Sequence, residues 1–408
     1  PDMSHGSTET NAAPSAPVGF LELFYDLVFV ASTMVLSNEF TRDPTWRSAG
    51  LCALMFMLLW LLWFHTTVLM NVDRRDDLTQ RGLMFLQMFV IFVITLEFVD
   101  RTLTDPDYVG LGYMVGVFVL ALAYHRVRNR PGGTGAWARG RRNRLLLAGL
   151  AMIVAFVVPD GIDFLVWAVA IMLLVVPTSA AHSRGLPVEA IDEHHLMERA
   201  ALLTLIMMGE AFVKVALVVS AGTLTATDIV TIAVMFIVLF SLFAVYFDDI
   251  PKAGIRPGIL AGESWLLAHL VMQMGIVAMA IGMSKYIQVE NGHVHDVAII
   301  VLTVAFVAIF SGLTVIGLLG MRSPKRGLLV LRLVTVALAL GGGIVAWNVY
   351  AVSAQMFVVF LAALAVVHAV IDELIQPRTW VVGHGASVDD DPLNIRLEPS
   401  SGGRRDVV

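Results

Sequence analysis

Charge is scarce in this chain of 408 residues: only 15% are Asp, Glu, Lys or Arg, against 58% hydrophobic, and the mean hydropathy is +0.79. A soluble chain of this length has no interior large enough to hide so much apolar surface, so the composition excludes that class and points to an integral membrane protein. Cysteine is nearly absent. Cys52 alone lies in an apolar run, which rules out a disulfide framework and a cysteine-based metal site. Also missing are a P-loop, a Rossmann glycine pattern, a GxSxG elbow and an HExxH or paired ExxH spacing, so a nucleotide-driven, serine-hydrolase or histidine-metal reading has no support and the cofactor is left unknown. Residues 1–17 are small and polar without a basic stretch, and read as a disordered tail rather than a cleavable signal.

What the chain does have is long apolar runs. A hydrocarbon core about 30 Å thick needs roughly 20 apolar residues per helix. Runs of that kind predict twelve spans near 18–37, 48–70, 82–99, 108–124, 145–158, 162–181, 197–220, 228–247, 264–284, 296–320, 328–349 and 352–374. The expectation is an all-α polytopic bundle over 18–375, followed by a disordered tail over 376–408. Of 27 Lys and Arg, Lys214 and Arg332 fall well inside spans, and Arg199, at the edge of the seventh, is counted with the connection before it. Another 21 belong to the connections after even-numbered spans and to the tail, and only Arg42, Arg47, Arg101 and Lys285 lie on the other side. This asymmetry predicts cytoplasmic termini. The seven arginines from Arg126 to Arg144 dominate it; they could bind anionic lipid headgroups or RNA, but a topology anchor is the plainer reading.

An even number of spans per half allows two parallel six-helix repeats, 18–181 and 197–374. FVASTMVLS in the first span resembles FVKVALVVS in the seventh. Gln87-Met88 recurs as Gln273-Met274, and Asp73 and Asp248 are each followed eight residues later by an arginine.

The informative residues are those that do not belong in lipid. Glu22 and Asp26 are four apart and share a helix face within about 40°. A charge at mid-membrane costs about 2.5 to 3.5 kcal/mol on insertion scales, so such acids are expected to face a protein interior, pair with a cation or hold a proton. Glu210 and Lys214 have the same spacing in the seventh span, in the order that favours a helical ion pair. With His65, Glu97, His269 and Gln273 these residues make up the expected intramembrane polar cavity, for which the partner is a small molecule or ion. His368 and Glu373 occupy the last span. Asp73, Asp76 and Asp77, with Asp248 and Asp249, cluster at span ends, where paired aspartates can hold Mg²⁺ against a lipid diphosphate; a charged tie between helices is the plainer reading.

ELFYDLVFV, WLLWFHTTVLMNVDRRDDLTQR, ERAALLTLIMMGEAFVKV and WLLAHLVMQMGIVAMAIG together resemble the low temperature requirement A family of bacterial membrane proteins, over about residues 18–375. Tyr25 stands where that family more usually has Phe, and Lys214 where an uncharged residue is commoner. The resemblance implies a multi-span protein of the bacterial inner membrane. Three functional classes follow as expectations: a transporter-like or ligand-binding protein with a polar cavity between two halves, a membrane enzyme acting on a lipid or isoprenoid, and a structural or stress-response factor.

Overall fold

A computed structural model describes residues 18–42, 44–100, 107–131, 133–159, 162–176, 191–220, 226–287, 294–321, 324–349 and 353–375. The tails expected over 1–17 and 376–408 lie outside these residues. Inside a bilayer every backbone N–H and C=O must be satisfied within the segment, which leaves helices as the solution for such apolar runs. The described residues form twelve: α1 (Phe20–Arg42), α2 (Trp46–Val72), α3 (Leu78–Asp100), α4 (Asp107–Val127), α5 (Gly133–Ala155), α6 (Ile162–Val175), α7 (Glu193–Ser220), α8 (Ala226–Ala253), α9 (Ile259–Ile287), α10 (Val294–Leu319), α11 (Arg326–Asn348) and α12 (Ala354–Ile375). Ten are long and apolar enough to cross a membrane. The exceptions are α5, whose first half carries the arginines expected to be a loop, and the 14-residue α6.

Local chemistry fixes the connections. Thr45 and Ser48 form a reciprocal capping box that starts α2, with Thr45 Oγ1 accepting from the Ser48 N–H at 3.1 Å and Ser48 Oγ from the Thr45 N–H at 2.9 Å. Gly254 and Gly258 take positive φ, 64° and 103°, which lets the α8–α9 connection fold back onto the end of α10. There Arg256 donates to the carbonyls of Gly320 (3.0 Å) and Leu318 (3.1 Å), and Ile255 makes a single bridge to Gly320.

Helices in lipid gain little from burying apolar surface against each other, so close packing decides which ones pair. α9 and α10 form the tightest pair. A Cβ on Gly312 would stand 2.8 Å from the Met272 backbone nitrogen, and one on Gly275 would stand 3.0 Å from the Ala305 carbonyl. Outward faces stay apolar: Phe85, Phe89, Phe92 and Leu96 make an exposed stripe on α3, and Val330, Leu333, Leu338 and Ile344 do so on α11. α2 is the most enclosed of the candidate spans and α11 the least.

The starts of α1, α7, α9 and α11 gather at one end of the bundle with the ends of α2, α4, α10 and α12, as shown by Glu22 against His195, Asn71 against Asp192, and Lys325 against the Ile375 carbonyl. This is the arginine-rich end. Neighbour relations repeat between the halves: α1 on α3, α3 on α4, α4 on α5 and α5 on α6 correspond to α7 on α9, α9 on α10, α10 on α11 and α11 on α12. The halves meet where α1 and α2 contact α7 and α9.

Candidate functional site

At the arginine-rich end of that meeting line, the acids of α1 face α7. Asp26 is fully buried, and its Oδ1 accepts from Trp63 Nε1 at 2.7 Å and from Arg199 Nη2 at 2.8 Å. Glu22 lies one turn earlier, with its Oε2 3.0 Å from His195 Nε2 and 3.8 Å from Arg199 Nε. The Arg199 guanidinium also sits 5.9 Å from the Trp63 ring centre, adding a cation–π contact. His195 is steadied from behind. Its Nδ1 is 3.4 Å from Asn71 Nδ2, and that amide joins α2 to α7 by donating to the Asp192 carbonyl (2.8 Å) and accepting from the Asp192 N–H (3.0 Å). Arg74 pairs with the Asp192 carboxylate. Burial pushes that carboxyl up, but the His195 N–H and Arg74 outweigh it and leave Asp192 below the usual range.

Two turns further along α1 comes a second network. Thr33 Oγ1 is 3.2 Å from Glu210 Oε2, and Lys214 Nζ donates to Ser37 Oγ (2.9 Å) and Asn38 Oδ1 (2.8 Å). The spacing of Glu210 and Lys214 predicted a pair within α7. Each charge still acts on the other, but the hydrogen bonds of both go to α1.

His65 and His269 do not join these acids. The residues expected to share one cavity fall into separate networks, with Trp63 of α2 bonded to Asp26 and Trp60 to Gln273. Trp60 and Trp63 are fully buried with ring centres 5.5 Å apart; Trp60 Nε1 donates to Gln273 Oε1 at 2.7 Å, and Gln273 Nε2 donates to Thr204 Oγ1 at 3.0 Å. His269 Nε2 is 3.1 Å from the Tyr246 hydroxyl, its Nδ1 3.0 Å from the Trp265 carbonyl. His65 belongs to a third network on the other side of α2, 3.3 Å from Arg141 and 3.2 Å from the Leu174 carbonyl. Arg141 pairs with Glu263 of α9, both wholly buried. Glu97 is half-buried near the end of α3. His368 meets Thr335 at 2.7 Å across α11 and α12, where Glu373 is half-buried.

Three of the aspartates at the span ends are engaged by cations. Asp73 takes Arg75 (2.8 Å) and Arg130, Asp76 takes Arg81 (2.5 Å), and Asp77 takes Arg126 (2.7 Å) while capping α3 at the Gln80 N–H (2.8 Å). The bond from Gln80 and then Arg126 holds Asp77 below the usual carboxylate range, and Arg81 does the same for Asp76. Asp248 is half-buried at the end of α8; the side chain of Asp249 lies outside the described residues.

Sequence reasoning missed Arg199, Arg141, Glu263, His195, Asn71 and the two tryptophans as partners. Arg199 reads as an interfacial residue at the edge of the seventh span, yet it is in the second turn of α7 and 1% exposed. A signal existed: Glu22, Asp26, His195 and Arg199 share the same four-residue spacing on two helices. One oxygen each of Asp26 and Glu210 finds no hydrogen-bond partner among the described residues. Such an orphan acceptor in a buried carboxylate is where a proton or a bound ion would be stabilised.

The profile of the bacterial low temperature requirement A protein matches residues 17–373, and the chain belongs to that family. It is also similar to an uncharacterized protein of Rhizobium meliloti (strain 1021), 25% identical over 294 residues that cover 64% of this chain and 68% of the relative.

Proposed function

We propose that this member of the low temperature requirement A family is a transporter-like protein of the bacterial inner membrane, binding a small molecule or ion through the acidic networks between its two six-helix halves. One observation carries the reading: carboxylates with orphan oxygens, Asp26 and Glu210, line the junction between the first helices of the two halves. Buried ion pairs rarely repay their desolvation cost, so stability alone is a poor reason to keep them. Ion-coupled carriers place such acids at a repeat interface near the membrane centre. The repeat itself is supported by the matching neighbour relations and by a fully buried arginine on the fifth helix of each half, Arg141 and Arg332. It is further supported by Arg75 and Arg256, each donating to a carbonyl at the end of its half's fourth helix. The arginine-rich end faces the cytoplasm on the positive-inside rule.

A lipid-modifying enzyme is the competing reading, and an apolar cavity favours it. This space of about 760 Å³ is bounded by Leu54, Leu58, Ile94, Tyr113, Trp167 and Ile171 and would take a lipid chain. However, Asp73, Asp76 and Asp77, the carboxylates that would hold Mg²⁺, are each engaged by an arginine and sit at the other end of α2 from the cavity.

The test is purified protein in proteoliposomes, assayed for uptake of ligands found by mass spectrometry of the gently solubilised protein, with and without a pH gradient. Glu22→Gln, Asp26→Asn and Glu210→Gln should each lower gradient-driven uptake at least tenfold while ligand binding stays measurable. Uptake that survives Leu at all three positions would refute the coupling role and favour a structural one. Product formation in detergent, lost on Mg²⁺ chelation and in Asp73→Asn, would establish the enzyme instead.

A further inference from the structure

Cations are selected against at the arginine-poor end, where the sequence leaves only four Lys and Arg. Two of the four, Arg42 and Lys285, nevertheless line one recess of about 430 Å³ together with Lys214, Asn38, Thr41 and Ser284, where α1, α7 and α9 meet. Lys285 is 6% exposed, and no hydrogen-bond or ion-pair partner is found for its ammonium among the described residues. Lys214 is 2% exposed and lines the same recess, with the Glu210 carboxylate one turn away on its own helix as a counter-charge. The nearby acids do not lie between them. Glu39 is taken by Arg42 at 2.5 Å, and Glu210 faces Thr33 one turn deeper. Arg42 and Lys285 each stand in the last turn of a helix, where the helix dipole welcomes a cation. That accounts for each alone, but not for a guanidinium and an ammonium converging on a concave space that the Lys214 ammonium enters from a third helix.

The lining is cationic. Two ammoniums and a guanidinium border the space; the Thr41 and Ser284 hydroxyls beside them donate to the Ser37 and Ile281 carbonyls, and Asn38, whose carbonyl oxygen is held by Lys214, keeps its NH₂ to donate. We propose that this recess is a binding site for a small oxyanion, a phosphate or carboxylate, which neutralises Lys214 and Lys285 and enters from the arginine-poor face. The site goes beyond the transport reading and stands whether or not the protein transports anything.

Isothermal titration of the full-length protein in a neutral detergent, with inorganic phosphate and separately with acetate, tests it for a free anion. Native mass spectrometry from nanodiscs of phosphatidylcholine with and without phosphatidylglycerol tests it for a lipid headgroup. Saturable binding in either arm should weaken at least tenfold in Lys285→Gln and Lys214→Gln and be retained in Lys285→Arg. Arg42→Gln, at a side chain 70% exposed, should fold normally and weaken binding several-fold, so the idea is testable even if the buried variants do not fold. Binding confined to phosphatidylglycerol and lost in these variants would identify the headgroup as the source. Equal binding by wild type and variants, or none in any arm, would overturn the site, as would variants that change thermal stability alone.

Discussion

Arg199 is the residue whose loss should hurt most. It serves Asp26 and Glu22 at once, and removing one member of a buried ion pair leaves the other uncompensated at a cost of about 3 to 5 kcal/mol. Arg199→Met should therefore lower thermal stability in detergent markedly, and Asp26→Asn added to it should restore part of the loss; a double variant worse than Arg199→Met would mean that the two act independently. The Asp192 carboxylate gives a pH test. Its position below the usual aspartate range means that the clamp to His195 and Arg74 is fully present at neutral pH and is lost as acid protonates it. Protease resistance of the segment entering α7 should fall below the ordinary aspartate range, and Asp192→Asn should lack that acid step. At this scale the sequence was half legible. The spacing of Glu22 with Asp26 placed both on one face, but the charge-rich stretch around Arg199 looked interfacial, since nothing local says that Arg199 turns inward to acids more than 170 positions away.

Among the helices, pattern located the elements well and their neighbours poorly. Long apolar runs marked ten of the twelve, because in lipid a run of that length has one available structure. α5 is the instructive miss. Its seven-arginine approach reads as a surface loop by charge density, yet the helix begins at Gly133 and turns Arg141 into the bundle against Glu263. The central place of α2 was equally hidden, since a helix apolar all round gives no moment to show which face is inside. Contact between α9 and α10 makes the sharpest prediction here. Gly312→Leu and Gly275→Leu have no space for their side chains, and overpacking of this kind costs about 1 to 3 kcal/mol, so each should lower the melting temperature of the purified protein. Gly50→Leu, where nothing stands within 4 Å, is the matched control and should be silent.

For the whole molecule, orientation is the first thing to measure. With Cys52 replaced by Ala, Arg139→Cys at one end and Trp46→Cys at the other offer exposed thiols. A membrane-impermeant maleimide on spheroplasts should label position 46 and spare 139; the reverse would invert the topology. A larger consequence comes from the way α1 and α7 run side by side in the same direction. Glu22 meets His195 and Asp26 meets Arg199 at a separation of 173 positions, while Thr33 meets Glu210 and Ser37 meets Lys214 at 177. These are four rungs of one ladder. A slide of one helical turn, about 5.4 Å, would unseat all four together, because no rung can stretch that far and hold. The junction of the two halves thus works as a detent: small displacements meet a stiff restoring force, and a large one must release every rung before any can re-form.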